Sequence, residues 1–447
     1  RLPGGEAQQA QAEVPVFALP ELPVAITIDE IRADRVALGE PVIGIEAALR
    51  VNGGLSLEGG EGETQLTIDR IDGPRGQFVL DSAFSNVTQV LRLNLGLDEA
   101  ADGVLANLAG IYDRPALSAQ ISGEGELSDF TADIRLATNG QPRITGQVSA
   151  NETTDAAGTP GTGFRFQLGG DVATLLRPED RAFFGRQTQI LAQGFRAQTG
   201  RLDIPQLNIQ TEALRVSGSL STNDQNAPER AELLIALGRD AEAPQLPVPL
   251  PFAEEGTTVD SGRLELSYDA AEGDGWTLTG RVGELDLQGT RIGALTLDGG
   301  GAVLLDGGSL AEVNGTLGIE AAQLAFADPG IAEAVGTQIA ASAGFNFTPG
   351  NALDISDVQL TGADYGLTGD FLVSGLSSGI TLSVDAGARY SDLSRLSTAA
   401  GRPLTGAADI DILGYYILLN RSFDVDAAIR ATDLTVDQEQ FDRLLGG

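Results

Sequence analysis

The residues of this sequence that resemble reactive motifs lack the partners that the chemistry requires. Gly375-Leu376-Ser377-Ser378-Gly379 matches the G-x-S-x-G pattern that surrounds the nucleophile of serine hydrolases. The chain contains no His, so the general base of a Ser-His-Asp triad is missing. Because the flanking residues alternate as they do in strands, we predict a turn between two strands here, and not a catalytic serine.

Acidic and glycine-rich segments are the remaining chemical candidates. Asp409 and Asp411 are two positions apart, which on a strand places both on the polar face as solvated charges. Residues 269–274 are too irregular for an EF-hand, and the glycines at 59–62 and 299–301 lack the Lys-Ser/Thr of a phosphate loop. The chain has no Cys or His to bind zinc. We therefore predict no enzyme activity, no metal and no cofactor.

The charge of the chain argues against two classes of partner. The formal net charge is -35, from 28 basic residues, all of them Arg, and 63 acidic residues. Nucleic acid needs a basic surface for its phosphates, so we predict that it is not a partner, and anionic lipid headgroups should also repel this chain. With 42% hydrophobic residues the sequence can still form a core.

Apolar and polar residues alternate in short runs along the whole sequence, and this is its main structural signal. Leu91, Leu93 and Leu95, for example, are separated by Arg92 and Asn94. A period of two places the apolar side chains on one face of a strand and the polar ones on the other. Such a face is either a core buried against a second sheet or the floor of a groove, and the sequence leaves both open. The positions predicted to line a groove are Leu91, Leu93, Leu95, Ile134, Leu136, Leu202, Ile204, Leu264, Leu266, Leu382 and Val384.

These runs predict a mainly β fold, an elongated repetitive sheet curled into a trough (a β-taco or a solenoid-like form), with a few short helices. We expect a loose entry segment at 1–22 and one continuous repetitive body at 23–447. Gly53-Gly54 and Gly59-Gly60 are expected to form turns. Helical islands are predicted at 99–113, 171–185, 328–336, 391–400 and 435–446, from apolar periodicity and from capping signals such as Asp328-Pro329 and the capping-box spacing of Thr435 and Gln438.

Several short segments recur along the chain, which favours an array over a single closed domain. Arg114-Pro115 follows the first helical island, and Arg402-Pro403 follows the fourth. Thr188-Gln189-Ile190 is echoed by Thr337-Gln338-Ile339. Repeats of this kind are typical of extended arrays in which each unit contacts its neighbours.

Four longer segments resemble the TamB family, the inner-membrane-anchored subunit of the translocation and assembly module, which is related to the AsmA-like proteins. Each segment is a strand boundary, a turn or a helix cap, and together they span most of the chain. The segments are 19–44, 117–130, 170–185 and 392–404, which include Leu19-Pro20, Gly123-Glu124-Gly125, Arg181-Ala182-Phe183-Phe184-Gly185 and Gly401-Arg402-Pro403-Leu404.

The resemblance implies a periplasmic segment of a Gram-negative protein that bridges the inner and outer membranes. Its apolar groove would conduct phospholipid acyl chains, and the parent protein would support outer-membrane protein assembly with an outer-membrane barrel partner. The chain has no Met, so we expect that a leader was removed or that this is an interior piece. Its longest apolar stretch, 412–419, is too short to span a bilayer, and we expect the inner-membrane anchor and the partner-docking region to lie outside it. The alternative is a structural β-solenoid of an adhesin or a secreted passenger domain.

Overall fold

The computed structural model describes residues 25–350, 353–375, 380–419 and 421–437. The described residues are mainly β, as predicted, with 25 strands and only short helices between them. Contacts divide the chain into two compact units, where the sequence predicted one continuous body: unit 1 comprises 1–176 with 189–204, and unit 2 comprises 177–188 with 205–447. The predicted loose entry at 1–22 lies outside the described residues.

Unit 1 is built from strands that pair antiparallel in chain order from β1 to β9. A tenth strand pairs with β9, and an eleventh begins in unit 1 and continues beyond its boundary. The strands are β1 Ile26–Leu38, β2 Ala47–Glu58, β3 Glu61–Arg70, β4 Gly76–Ser85, β5 Val90–Glu99, β6 Leu117–Glu126, β7 Asp129–Thr138, β8 Gln141–Thr154, β9 Pro160–Gly170, β10 Thr188–Ala197 and β11 Leu202–Gln210.

Unit 2 continues the same pattern from β12 to β25, with two short strands set aside from the main ladder. Strands β14 and β15 have two residues each and pair with one another. The strands are β12 Leu214–Thr222, β13 Pro228–Gly238, β14 Val248–Pro249, β15 Thr258–Val259, β16 Ser261–Asp269, β17 Gly275–Asp286, β18 Thr290–Asp306, β19 Ser309–Phe326, β20 Gln338–Phe347, β21 Leu353–Thr361, β22 Tyr365–Ser374, β23 Thr381–Tyr390, β24 Thr405–Ile417 and β25 Ser422–Thr435.

In the part of the chain that the structure describes, five α-helices and four 3-10 turns interrupt the strands. Each has seven residues or fewer, too short to be stable without packing against the sheet. The α-helices are α1 Glu40–Ile43, α2 Val104–Leu108, α3 Arg181–Phe184, α4 Pro329–Val335 and α5 Ser397–Ala400. The 3-10 turns are Ala173–Leu175, Pro178–Asp180, Arg239–Ala241 and Leu393–Leu396.

The helical islands predicted at 328–336 and 391–400 are confirmed. Asp328 caps α4, since its carboxylate accepts a hydrogen bond from the Ile331 amide at 2.9 Å, and Pro329 opens the helix. In the other island Asp392 caps a 3-10 turn through the Ser394 amide, α5 follows, and Gly401 ends it in the left-handed conformation.

The other predicted islands need correction. The island at 99–113 contains only α2, because Glu99 is still the last residue of β5. The island at 171–185 is two 3-10 turns followed by α3, and Pro178 begins the second turn. Thr435 is the last residue of β25, and residues 438–446 of the last predicted island lie outside the described part. Apolar spacing alone therefore overestimated helix length, because it does not show where a strand ends and a helix begins.

Glycine has two different roles at the positions predicted as turns. Gly59 and Gly60 form the β2–β3 turn with φ values of 58° and 83°, as expected. The prediction at Gly53-Gly54 is wrong, because both residues lie inside β2. A Cβ on Gly53 would lie 2.7 Å from the Gln65 carbonyl oxygen, so glycine there permits close approach of β3.

The helical connections recur at a regular interval along the chain. We call these connections the cap segments; they are residues 39–46, 100–116, 171–187, 239–260, 327–337 and 391–404. They follow β1, β5, β9, β13, β19 and β23. When the two-residue strands β14 and β15 are left out, four strands separate each cap segment from the next. Connections two strands apart share an edge of an antiparallel sheet, so within each unit the cap segments lie along one edge.

Candidate functional site

In unit 1 the ladders place the predicted lining residues of β5 and β7 on one face. Residues directly opposite each other in an antiparallel pair share a face. Leu95 lies opposite Leu80 on one side and Ile121 on the other, and Ile121 lies opposite Ile134. Leu91, Leu93 and Leu136 stand on this same face by alternation and register. We call this side of each ladder the apolar face.

In unit 2 a corresponding apolar face continues from β12 to β25, across register shifts in the β20–β21 and β21–β22 pairs. Leu266 lies between Leu233 of β13 and Leu278 of β17. Val384 lies between Phe371 of β22 and Gly414 of β24. The intermediate pairs connect these rows, and the ladder therefore places Leu264, Leu266, Leu382 and Val384 on one face.

Leu202 and Ile204 occupy alternate positions of β11 in unit 1, and both are half-buried. Alternation places the two side chains on the same side of their strand.

The apolar faces are only partly covered. In unit 1 Leu91, Leu93, Leu95, Ile134 and Leu136 are all half-buried, whereas the intervening Arg92 and Arg135 are exposed. In unit 2 Leu382 keeps 38% of its surface exposed, and Ile429 at the end of the same face keeps 69%. Among the described residues, the largest fully buried side chains are Leu117 and Val259. A face packed against a second sheet would instead bury its leucines almost completely.

One part of unit 2 shows that the apolar face is on the inside of a curl. Tyr268, Trp276 and Val303 form a buried cluster that also contacts Ala231 of β13 and Phe345 of β20. All five stand on the apolar face of strands that are separated in the ladder. Their convergence requires that this part of the sheet bends toward its apolar side. Burial raises the pKa of the Tyr268 phenol, as expected for a group inside this cluster.

The cap segments cover one end of the apolar face. In unit 2 Phe183 of α3 packs in one cluster with Val248 and Val259, against Leu214 and Leu237 at the ends of β12 and β13. In unit 1 Glu99 stands on the apolar face but is 4% exposed beneath α2. Its carboxylate accepts hydrogen bonds from the amides of Leu105 at 3.0 Å and Ala106 at 2.8 Å, which satisfies the buried charge.

Neighbouring cap segments contact each other within each unit. In unit 1 the Tyr112 amide, after α2, donates to the Leu175 carbonyl at 3.0 Å. In unit 2 the Phe252 amide donates to Asp180 at 3.2 Å. Between α4 and α5 the approach is so close that a Cβ on Gly330 would lie 2.9 Å from the Cα of Ala399. The cap segments therefore join into continuous stretches along their edge of the sheet.

Arg395 and two tyrosines hold the last two cap segments together. Tyr365 and Tyr390 stack with ring centroids 5.5 Å apart, and each hydroxyl donates to a carbonyl at the end of α4, Val335 or Ala334. Arg395 pairs with Asp364 and donates to the Glu333 carbonyl. Burial raises the pKa of both phenols.

The polar face of unit 1 carries a separate open cavity of about 670 Å³. Its side chains include Val79, Asn94, Gln120, Arg135 and Thr145, which lie on the face opposite Leu95 and Leu136. Leu95 and Leu136 border the cavity only because they are adjacent in sequence to Asn94 and Arg135, which line it. It is therefore distinct from the predicted groove.

The acidic candidates of the sequence are ion-paired on the surface. Asp411 accepts from Arg430 at 2.7 Å, and Asp409 lies 3.9 Å from Arg389. In the described part of the chain no group of acidic residues could hold a metal ion. The hydrolase-like pattern at 375–379 falls, apart from Gly375, outside the described residues. No helix that the structure describes is both long and apolar enough to cross a membrane.

Two features of the site were not predicted from the sequence: the row of cap segments and the curled cluster around Trp276. The only Trp of the chain, in a sequence poor in aromatics, was a signal for the second. Comparison of the chain with protein-family models, with curated proteins and with solved structures found no match.

Proposed function

We propose that the apolar faces form the floor of a curled trough that binds and conducts lipid acyl chains. The observation that carries this proposal is the combination of inward curvature and incomplete burial on the apolar side. The cluster around Trp276 lies on the inside of the bend, while Leu382 and Ile429 on the same face are 38% and 69% exposed. An inner face that is apolar but uncovered favours an apolar ligand over a permanent protein core.

The gain from covering this face can be estimated for one residue. Complete burial of a Leu side chain is worth about 1.5–3 kcal/mol, so covering the exposed third of a leucine such as Leu382 gains about 0.5–1 kcal/mol. An acyl chain that lies across several strands contacts several such residues in sequence. The face offers repeated modest contacts and no single deep pocket, which suits a ligand that must move along it.

The face also lacks features that would select or hold one ligand. Leu, Ile, Val and Gly dominate the rows described above, and in β5 Arg92 and Asp98 point to the opposite side, whereas Glu99 lies at the covered end beneath α2. The cap segments cover one end of the strands, so a polar headgroup is better accommodated toward the hairpin ends.

The biological setting of the proposal comes from the sequence resemblance alone. On that basis the chain would be a periplasmic segment of a TamB-like protein, anchored in the inner membrane through a segment outside it. The parent protein would conduct phospholipid toward the outer membrane and would support outer-membrane protein assembly. The antiparallel ladders weigh against the alternative of an adhesin or passenger solenoid built as a parallel β-helix.

Photo-crosslinking at neighbouring positions tests the proposal. A photoreactive residue at Leu95 or Leu136 should capture phospholipid in cells, whereas the same probe at Arg92 should not, because adjacent strand residues point to opposite faces. Arg135 is a second control, although it borders the cavity on the polar face. Equal capture at Leu95 and Arg92, or capture at neither, would contradict lipid binding on the apolar face.

A further inference from the structure

The hairpin of β18 and β19 is longer than the strands beside it. These strands have 17 and 18 residues, whereas β17 has 12 and β20 has 10. The last pair with β17 is Gly275–Ala302, and the last pair with β20 is Val313–Phe347. Residues 303–312 therefore project beyond both neighbours, and we call them the strap.

The strap reaches across the ladder to a turn far away in sequence. The Asn223 side-chain amide, in the β12–β13 turn, donates to the carbonyl of Gly308 at 2.7 Å. The Ser309 hydroxyl donates to the side-chain oxygen of Gln225 at 2.6 Å. A register shift between Leu304 and Leu305 bends the strap near its base. The strap thus closes over the apolar face between β12 and β19.

Beneath the strap, the Trp276 side chain covers the apolar face and packs directly against glycine residues. Trp276 is 8% exposed, and its indole N–H donates to the Asn314 carbonyl at 2.9 Å. A Cβ on Gly315 would lie 2.5 Å from the indole, so only glycine leaves room for the ring. Gly299 lies beside it, 3.5 Å from the indole by the same measure. The indole occupies a slot whose floor has no side chains.

The apolar face is open on the far side of this cluster. Val425 and Phe423 of β25 keep 49% and 71% of their surface exposed, and they follow Val384 and Leu382 in the same rows. Within unit 2 the same face is therefore uncovered near β22–β25 and closed beneath the strap.

We propose that the strap and Trp276 form a gate on the apolar face of unit 2. This inference rests on the proposed acyl-chain binding and adds a place where passage is controlled. At its tip the strap is held to the β12–β13 turn by two side-chain hydrogen bonds, which water can replace when they break. The apolar contacts beneath it can be exchanged for contacts with an acyl chain. When the gate is closed, an acyl chain bound near Val384 cannot enter the space that Trp276 fills between Tyr268 and Phe345.

Because the chain has no Cys, two introduced cysteines can be cross-linked selectively to lock the strap in place reversibly. In the double variant Gln225→Cys and Ser309→Cys, a short bis-methanethiosulfonate linker would join the strap to the turn, and dithiothreitol would release it. The ligand probe is a phosphatidylcholine with a diazirine in one acyl chain, presented in phosphatidylcholine vesicles. Labelled peptides are identified by mass spectrometry. The two single variants treated with the same reagent are the matched controls.

We expect label at both Leu266–Leu278 and Phe371–Val384 in the unlocked protein and in the single variants. The lock should abolish label in the first region and leave the second unchanged, and reduction should restore it. Equal label at Leu266–Leu278 with and without the lock would overturn the gate. Label confined to β22–β24 in the unlocked protein would also overturn it, since the cluster would then be permanent core. No label in either region would overturn the proposed function, and the gate with it.

Trp276 provides an independent measurement in the unsubstituted chain, because it is the only Trp. Vesicles of phosphatidylcholine with brominated acyl chains should quench its fluorescence if acyl chains enter the slot. The locked variant should lose this quenching until it is reduced. Absence of quenching in the unsubstituted chain, with label present at Val384, would contradict entry beneath the strap.

Discussion

The same substitution at two leucines of the apolar face should have very different effects on stability. Leu382 and Leu266 both belong to unit 2 and both stand on the apolar face. Leu382 is 38% exposed, between Val373 and Tyr416. Leu266 packs against the buried cluster of Tyr268, Trp276 and Val303. Leu382→Asp and Leu266→Asp therefore compare an open and a closed stretch of one surface.

The expected magnitudes follow from burial. Leu382→Asp loses about two thirds of the value of burying a leucine, or about 1–2 kcal/mol, and water still reaches the new carboxylate. Leu266→Asp removes a half-buried leucine that packs against the cluster, about 2 kcal/mol or more, and places a carboxylate against its buried side chains, which adds a desolvation cost. This loss is a large fraction of the total stability of an ordinary domain, about 5–15 kcal/mol. The region around Trp276 should therefore unfold in the Leu266 variant.

Urea unfolding separates the two outcomes when it is followed by two signals. Trp276 fluorescence reports the cluster, and far-ultraviolet circular dichroism reports the strands as a whole. Leu382→Asp should leave both signals native in buffer, while Leu266→Asp should shift Trp276 emission toward that of exposed indole. Similar losses in both variants would show that the face around Leu382 is also closed core. A native signal with Leu266→Asp would refute the burial argument for the cluster.

Three further outcomes are expected. Glu99→Ala should destabilise unit 1 by about 1–3 kcal/mol in urea unfolding, because the Leu105 and Ala106 amides lose a buried acceptor. An unchanged urea midpoint would contradict the role of Glu99 as a cap of α2. Asp328→Ala should cost about 1 kcal/mol by the same measurement, since it removes the N-cap of α4. Burial raises the pKa of the Tyr268, Tyr365 and Tyr390 phenols. The contribution of each neutral phenol to the free energy of unfolding is therefore complete below the ordinary pKa of about 10, and it is lost as the pH rises through the raised pKa of the folded state. Absorbance at 295 nm should show delayed ionisation of these phenols compared with the urea-unfolded chain, and coincident titrations would contradict their burial.

The sequence predicted strand faces well because period two is a local property. Leu91, Leu93 and Leu95 stand on one face as their spacing requires, and the ladder adds Ile134 and Leu136 to it. The spacing gives no information about what covers a face. Tyr268 and Trp276 are buried and Leu382 is open, and the strap beside the two aromatic residues contacts a turn more than 80 residues earlier in sequence. Contacts of that range have no signature in local periodicity.

Helix boundaries were less predictable for a related reason. The apolar residues between 99 and 113 fit a helix face, but Glu99 continues β5 and leaves room only for α2. At this boundary the residue that lies beneath the cap segment is Glu99, whose carboxylate accepts hydrogen bonds from α2, and apolar spacing does not indicate it. Asp328 and Asp392 were better guides, because a capping side chain bonds to amides two or three residues later and acts locally.

The short sequence echoes acquire a physical meaning from the cap segments. Thr188 and Gln338 each begin the strand after a cap segment, at β10 and β20. These strands are eight apart when β14 and β15 are left out, which is twice the interval between cap segments. Arg114-Pro115 and Arg402-Pro403 likewise each precede the strand that follows a cap segment, β6 and β24. The echoes therefore mark equivalent positions of a four-strand repeat.

The width of a helix explains why the interval is four strands and not two. Strands lie about 4.8 Å apart, so connections on one edge of the sheet are spaced by about 10 Å. A helical turn with its side chains is about 10–12 Å wide, so helical segments on successive connections of that edge would collide. At every second connection the spacing rises to about 19 Å, which accommodates one helical segment and its flanking chain. Neighbouring segments then just touch, as Gly330 does with Ala399. The edge is covered with few insertions, and the tight turns between them keep the strands of each unit paired so that each unit presents an apolar face.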